Sequence, residues 1–501
     1  MADEQETGVV FPMGPDGRRS TAALGRAVVA DALRDVDPAG ALAAEQETNW
    51  RAGYLVHFRR LVEAGLASRA AALSIADAGL TSLHTRMRVA AADGGETPLD
   101  TLRTATPGRR LSTVEVAGTG DREEEFSLPY GGSRLRGDAL GRRLDDWVER
   151  GVMEPSAADA VREVVAHPEW LRLPEVTVAV LGAGAEMGPL TSLLRWGARV
   201  AAVDLPRGAL WHRVLDTARR GAGTLLVPVP EGTSDADLAR RAGADLITEV
   251  PAVAEWLRER DRRLVVGNYV YADGGTNVRV STAVDALTVG LLADRPDSAL
   301  AFLATPTDVF AVPPEAVAQS VRAYAGRSAT AKLVGRPLRT LSAGRLLRRA
   351  YVPGADPGIS DSLVAQQGPN YALAKRLHRW RATVAREAGT TVSMNVAPPT
   401  RTRSVVKNRA LAAAYAGAHR FGVAVFEPAT ANVLMAALLV HDLHRGASTV
   451  HDLHTGVGTP REHPWQDEAF AAVHGGLWRT PYAPRSALGL AALLGYGAAR
   501  G

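Results

Sequence analysis

Val176-Thr-Val-Ala-Val-Leu-Gly182-Ala-Gly184-Ala-Glu-Met-Gly188 is a β-branched apolar run that breaks into glycines. The helix-forming residues 189–196 follow, then a second apolar run, Arg199-Val-Ala-Ala-Val203, ending in Asp204. A short run without polar alternation is what a parallel strand buried on both faces requires. Glycine lets the backbone turn sharply between such a strand and a helix and approach a pyrophosphate closely. The strict G-x-G-x-x-G spacing fails, because its third glycine would fall at Met187; Gly182, Gly184 and Gly188 form a wider turn. Asp204, 22 residues after Gly182, stands where an acid can accept the ribose hydroxyls of an adenine dinucleotide. Its charge would repel a 2′-phosphate, favouring NAD over NADP, although Arg207 lies close by in sequence.

Outward from this unit, further strands are expected at residues 224–229, 263–266 and 299–303, with helical segments between them. The fold class read from this alternation is α/β: a doubly wound parallel sheet of Rossmann type, with an N-terminal mainly helical domain and a C-terminal helical extension. The expected division is a loose arm over 1–45, a helical accessory domain over 46–172, the dinucleotide-binding domain over 173–420 with an insertion near 290–350, and a helical segment over 421–501.

Composition narrows the function. The chain of 501 residues has no cysteine, which excludes disulfides, thiolate metal sites and cysteine nucleophiles. Net charge is only +4 with both signs interspersed, so no nucleic-acid partner is expected. No apolar run is long enough to span a membrane, and the acidic N-terminus lacks a secretory pattern, so the expectation is a cytoplasmic protein acting on a small molecule. A homo-oligomer is also expected, the apolar run 487–499 being a candidate interface or pocket cover.

Of 58 basic residues only Lys332, Lys375 and Lys407 are lysine, and one of them closes the spacing Tyr371-Ala-Leu-Ala-Lys375. Gly368-Pro-Asn370 breaks the chain before a helix-forming stretch, so these two side chains share one helical face. A nearby ammonium favours a phenolate and would bring the phenol toward neutral pH as an acid/base. An extended run at 391–396 follows, then Ala397-Pro398-Pro399-Thr400.

With these residues in place the stretch from 176 to 402 resembles the short-chain dehydrogenase/reductase family in a divergent, enlarged form. The resemblance rests on order: Gly182 and Gly188, Asp204, Gly243-Ala-Asp245, Val266-Gly-Asn268, Tyr371/Lys375, and Asn395-Val-Ala-Pro398-Pro399-Thr400. It implies catalytic roles for Tyr371 and Lys375 and cofactor contacts from Gly182, Gly184, Gly188, Asp204, Asp245, Asn268, Pro398 and Thr400. The family's active-site serine matches Ser360 best, with Ser362 in reserve. Departures are Glu186 inside the glycine turn, Pro399 in place of a glycine, 103 residues between Asn268 and Tyr371, and no counterpart of the family's helical asparagine near 283–290.

Two other readings stand beside the oxidoreductase: a cofactor-binding sensor or scaffold, and an S-adenosylmethionine-dependent methyltransferase. His441-Asp442-Leu-His444 and His451-Asp452-Leu-His454 have metal-like spacing but read as a helix end and loop, so no metal is expected.

Overall fold

A computed structural model describes residues 6–448 and 461–497. At its centre lies a seven-stranded sheet of β1 (Leu111–Ala117), β2 (Val176–Leu181), β3 (Arg199–Val203), β4 (Thr224–Pro230), β5 (Arg263–Asn268), β6 (Ala299–Ala304) and β7 (Val392–Val396). The spatial order is β7-β6-β5-β2-β3-β4-β1. Strands β2 to β7 run parallel, and β1 adds antiparallel to β4 at one edge. After laying down β1 at one edge, the chain crosses to the middle at β2, winds outward to β4 beside β1, then returns to β5 and winds the other way. The order therefore reverses between β2 and β5, where open sheets of this kind hold their ligands.

The helices that matter for the site are α1 (Thr21–Leu33), α2 (Trp50–Gly65), α3 (Arg69–Arg86), α4 (Pro155–Ala166), α5 (Gly275–Asp294), α6 (Pro369–Glu387), α7 (Pro428–Ser448) and α8 (Pro484–Gly495). Alternate strand residues feed two cores. Ala179 and Leu181 of β2 join the core that holds α1, α2, α3, α5 and α6, while Val178 and Val180 join the one that holds α4 and α7. Burial on both faces is why β2 shows no polar alternation. No described helix is long and apolar enough to cross a membrane.

Three expectations change. The loose arm placed over 1–45 contains α1, whose Leu24, Val28, Val29 and Leu33 are buried. Ser20 caps it by accepting from the Ala23 amide at 3.2 Å. Small apolar residues at helical spacing were masked by the Gly and Pro around them. The segment read as an accessory domain supplies α2 and α3 to the same core as the sheet, and β1 to the sheet itself. Helix α3 comes so close to α6 that a Cβ on Gly79 would lie 2.4 Å from the Trp380 ring. Finally, the stretch expected as an insertion near 290–350 begins within α5 and takes in β6, and the long excursion away from the sheet runs between β6 and α6, at 305–368. Residues up to 304 are needed for α5 and β6, so the excursion begins only where β6 leaves the sheet.

Candidate active site

The glycine turn is built by backbone crowding. Gly182 has φ +88°, and a Cβ there would lie 2.8 Å from the Tyr269 carbonyl oxygen and 2.9 Å from the Val270 nitrogen. Both neighbours are backbone and cannot swing aside. Gly182→Ala is therefore expected to destabilise the protein by about 1–3 kcal/mol, read as a lower urea midpoint at unchanged slope. At Gly184 a Cβ would meet Leu210 at 3.0 Å and the Asp204 carboxylate at 3.3 Å.

Asp204, at the end of β3, accepts from the Gly184 amide at 2.7 Å and, through its other oxygen, from the Leu205 amide at 2.7 Å. Burial pushes its carboxyl above the usual range, opposed by these two amides and by Arg207 and Arg213. Asp245 lies on the next loop, beside Asp204 through the Ala244 amide to the Asp204 carbonyl at 3.0 Å. Its own carboxylate accepts from the Ile247 amide at 2.8 Å. Both Asp204 oxygens are thus engaged by backbone amides of the turn and of the chain that follows β3.

The departure at Glu186 has a partner. Its carboxylate accepts from the Arg403 amide at 2.8 Å and pairs with the Arg403 guanidinium at 3.2 Å. Asn432 of α7 donates to the Gly188 carbonyl and accepts from Ser192 at 2.7 Å. The helix that follows the turn is short, Leu190–Arg195. The segment after β7 therefore folds over the turn. Thr400 is buried and donates to the Pro398 carbonyl at 2.8 Å, and the Phe426 amide donates to the Pro399 carbonyl at 2.8 Å.

At the reversal point, Asn268 ends β5 and lies 3.2 Å from His378 Nε2, while its oxygen accepts from the Val270 amide at 3.4 Å. Helix α6 carries Tyr371, Lys375 and His378 along one face toward this point. Lys375 donates to the Leu303 carbonyl at 3.2 Å, which sets it against the C-terminal end of β6. The Tyr271 ring stands 6.2 Å from the Tyr371 ring at 70°. Because Tyr269 lies against Gly182 and Gly188, the glycine turn and Tyr371 are joined by one short segment, 269–271.

The electrostatics reverse one expectation. Burial holds the Tyr371 phenol above its usual value, with Asp308 adding to the rise and the Thr305 hydroxyl working against it. Lys375 is itself lowered to about 8 by burial, with Asp308 opposing. His378 falls to about 3, from burial first and then the Lys375 charge, and is neutral. The expected fall of the phenol toward neutral pH does not occur, because desolvation of the phenolate inside the fold dominates and Lys375 is not among the groups that lower it.

Tyr371 and Lys375 share a face of α6, and Asn268 reaches that helix through His378, with Gly182 and Gly188 one segment away along 269–271. Ser360 has a different setting: it lies on the strand Gly358–Asp361, paired opposite Phe310, and lines a cavity of its own. Ser362 follows it, its amide bonded to the Asp308 carbonyl at 3.1 Å. Thr305, the first residue after β6, works against the rise of the Tyr371 phenol, and its hydroxyl lies 3.0 Å from that of Thr307. Thr305, His378 and Tyr271 were missed in the sequence, although a threonine directly after a strand ending at 303 or 304 was a readable signal. Near the position of the missing helical asparagine, α5 presents Asp285, which is held by Arg381 at 2.7 Å and His84 at 2.7 Å. Among the described residues no three His, Asp or Glu side chains gather as a metal site. His441 is held between Glu163 at 3.1 Å and Asp442 at 3.2 Å, and His451-Asp452-Leu-His454 lies outside the described residues.

No protein-family model matches the chain, and no curated protein matches it either. Among solved structures it is similar to the terminal R domain from the myxalamid PKS-NRPS biosynthetic pathway. That match has 15% identity and a TM-score of 0.28 over 52% of this chain, and it spans 61% of the length of that domain, less than two thirds.

Proposed function

We propose that this protein is a nicotinamide-dependent oxidoreductase that interconverts a carbonyl and a hydroxyl on a small molecule, with NAD preferred to NADP. The observation that supports this reading is Lys375 on the Leu303 carbonyl at the end of β6, one helical turn from Tyr371, whose ring stands 6.2 Å from Tyr271 on the segment that packs against the glycine turn. Asp204 and the glycines would hold the adenosine end, and Lys375 and Asn268 the ribose next to the reacting ring. When bound, the nicotinamide gives or takes the hydride. The protein's part is to fix the substrate oxygen between Thr305 and Tyr371 and to move one proton at the Tyr371 oxygen. A phenol held above its usual value is protonated at neutral pH, so Tyr371 acts there as the acid of carbonyl reduction. Alcohol oxidation needs the phenolate and should gain rate as pH rises.

The test is NADH consumption by the purified protein across a broad panel of aldehydes and ketones, with NADPH in parallel. NADH binding without turnover of any member would replace this reading with that of a cofactor-binding sensor. The Glu186–Arg403 pair over the glycine turn is the observation that favours the sensor. The cofactor preference has its own check. The ratio of kcat/KM for NADH over NADPH should fall by roughly tenfold or more in Asp204→Ala, since losing the carboxylate removes its repulsion of a 2′-phosphate and leaves Arg207 to attract it. An unchanged ratio would remove Asp204 from the cofactor site.

A further inference from the structure

A second site is built where α2, the excursion 305–368 and the start of α8 meet. A cavity of about 170 Å³ opens there, lined by Arg59, Arg348, Arg349, Arg485, Ser360 and Asp361 among others. Four arginines and one carboxylate line it. Arg485 pairs with Asp361, and Arg59 stands 3.6 Å from Asp361 and 2.7 Å from Glu63. Arg348 and Arg349, both exposed at the mouth of the cavity, have no carboxylate partner among the described residues, and Arg349 lies 4.9 Å from the Tyr324 ring. The surplus charge is written into the chain: residues 327–349 hold seven basic residues and no acidic one.

The second observation is inside the cavity wall. Ser360 is 2% exposed, and its hydroxyl stands beside the buried Tyr351 phenol, which itself donates to the Trp478 carbonyl at 2.7 Å, without a well-formed hydrogen bond of its own. Buried polar groups are almost always satisfied, so a donor left open next to unmatched guanidiniums calls for an acceptor-rich anion. A carboxylate has two oxygens and one charge and would fill a single arginine fork. A phosphate group has three terminal oxygens and up to two charges, which suits two forks and a hydroxyl at once. At ~30 Å³ per water the cavity holds roughly five water molecules, room for a headgroup and not for a polymer strand.

We propose that this cavity binds the phosphate group of a small phosphate monoester, with Arg348 and Arg349 donating to its oxygens and Ser360 closing the remaining hydrogen bond. Asp361 holds Arg485 and Arg59 in place. The site is separate from Tyr371 and does not depend on the oxidoreductase reading.

The test is calorimetric titration of the full chain with inorganic phosphate and with methyl phosphate, at ionic strength held constant with sodium chloride, and with acetate as comparator. Saturable binding of both phosphates is expected, weakened roughly tenfold to a hundredfold in the Arg348→Ala/Arg349→Ala double variant. Ser360→Ala removes only a hydroxyl without a well-formed hydrogen bond, so it should keep the native melting temperature and weaken phosphate several-fold. Tyr371→Phe should bind phosphate as the native protein does, whatever its turnover. Absence of saturable binding beyond the chloride control, acetate binding as tight as phosphate, or native affinity in Ser360→Ala would each overturn the proposal. If the double variant fails to fold, Ser360→Ala decides.

Discussion

Tyr371→Phe is expected to lower kcat for carbonyl reduction by about 10²–10⁴-fold while leaving NADH affinity and the fold in place. The substitution removes one oxygen from a largely buried ring and keeps its contact with Tyr271, 6.2 Å away. Stability should therefore change by no more than about 1 kcal/mol. Steady-state rates, NADH titration and a thermal melt on the same preparation separate these effects. The pH dependence carries a sign. Tyr371 is held above its usual value, so the acid form persists through neutral pH. Lys375, lowered to about 8 by burial, loses its charge above that value, and the reduction rate should fall there with it. Full turnover by Tyr371→Phe would remove this residue from the chemistry and the oxidoreductase reading with it.

Asp308→Ala is expected to cost about 3–5 kcal/mol of stability, the largest effect of any single substitution considered. Asp308 is 2% exposed and receives Arg376 at 3.1 Å and Arg379 at 2.8 Å on its two oxygens, with the Val309 amide at 2.7 Å. Arg379 is further fixed by Glu468 at 2.6 Å and lies 4.2 Å over the Phe310 ring. Removing the carboxylate leaves Arg376 buried with no counter-charge, which is costlier than never having built the pair. Burial alone would raise the Asp308 carboxyl, but the two arginines outweigh it and hold it below the usual carboxylate value. Since the folded form binds its proton less readily than the unfolded chain, the stabilisation is present above the usual carboxylate pKa. It is lost as pH falls through the folded value. Urea unfolding across the acid range should show this slope in the native protein and a flatter one in Asp308→Asn.

Asp308 also links the two sites. It follows Thr305 by three residues and precedes the strand Val309–Val312, which pairs with Gly358–Asp361 along the cavity wall. Nothing at Asp308 marks it in the sequence. An aspartate after Thr-Pro-Thr reads as a polar loop until the helix carrying Arg376 and Arg379 is folded back over it.

The central sheet was legible because its signals are local. An apolar run without alternation, a glycine turn and an acid at the next strand end are each set by neighbouring residues, and together they imply β2, β3 and the ligand edge. Helix α6 was legible for the same reason: the 3.6-residue period alone puts Tyr371 and Lys375 on one face. The buried helix α1 was not, since alanines and glycines carry weak periodicity and gain their meaning from the surface they cover.

Contacts across long loops were beyond a linear reading. Spacing from the tyrosine pointed to Ser360, but spacing measures chain length, and the excursion 305–368 makes chain length a poor guide to distance. Folding brought Thr305 to bear on the Tyr371 phenol and sent Ser360 into an arginine-lined cavity. The residue pattern was likewise enough to pair a lysine with a tyrosine. It was not enough to set their pKa values, because desolvation depends on everything packed around a group, and here it raises the phenol that the lysine was expected to lower. Local periodicity thus established the strands, the turn and the helix face, while the partners of each side chain were settled by packing between segments hundreds of residues apart.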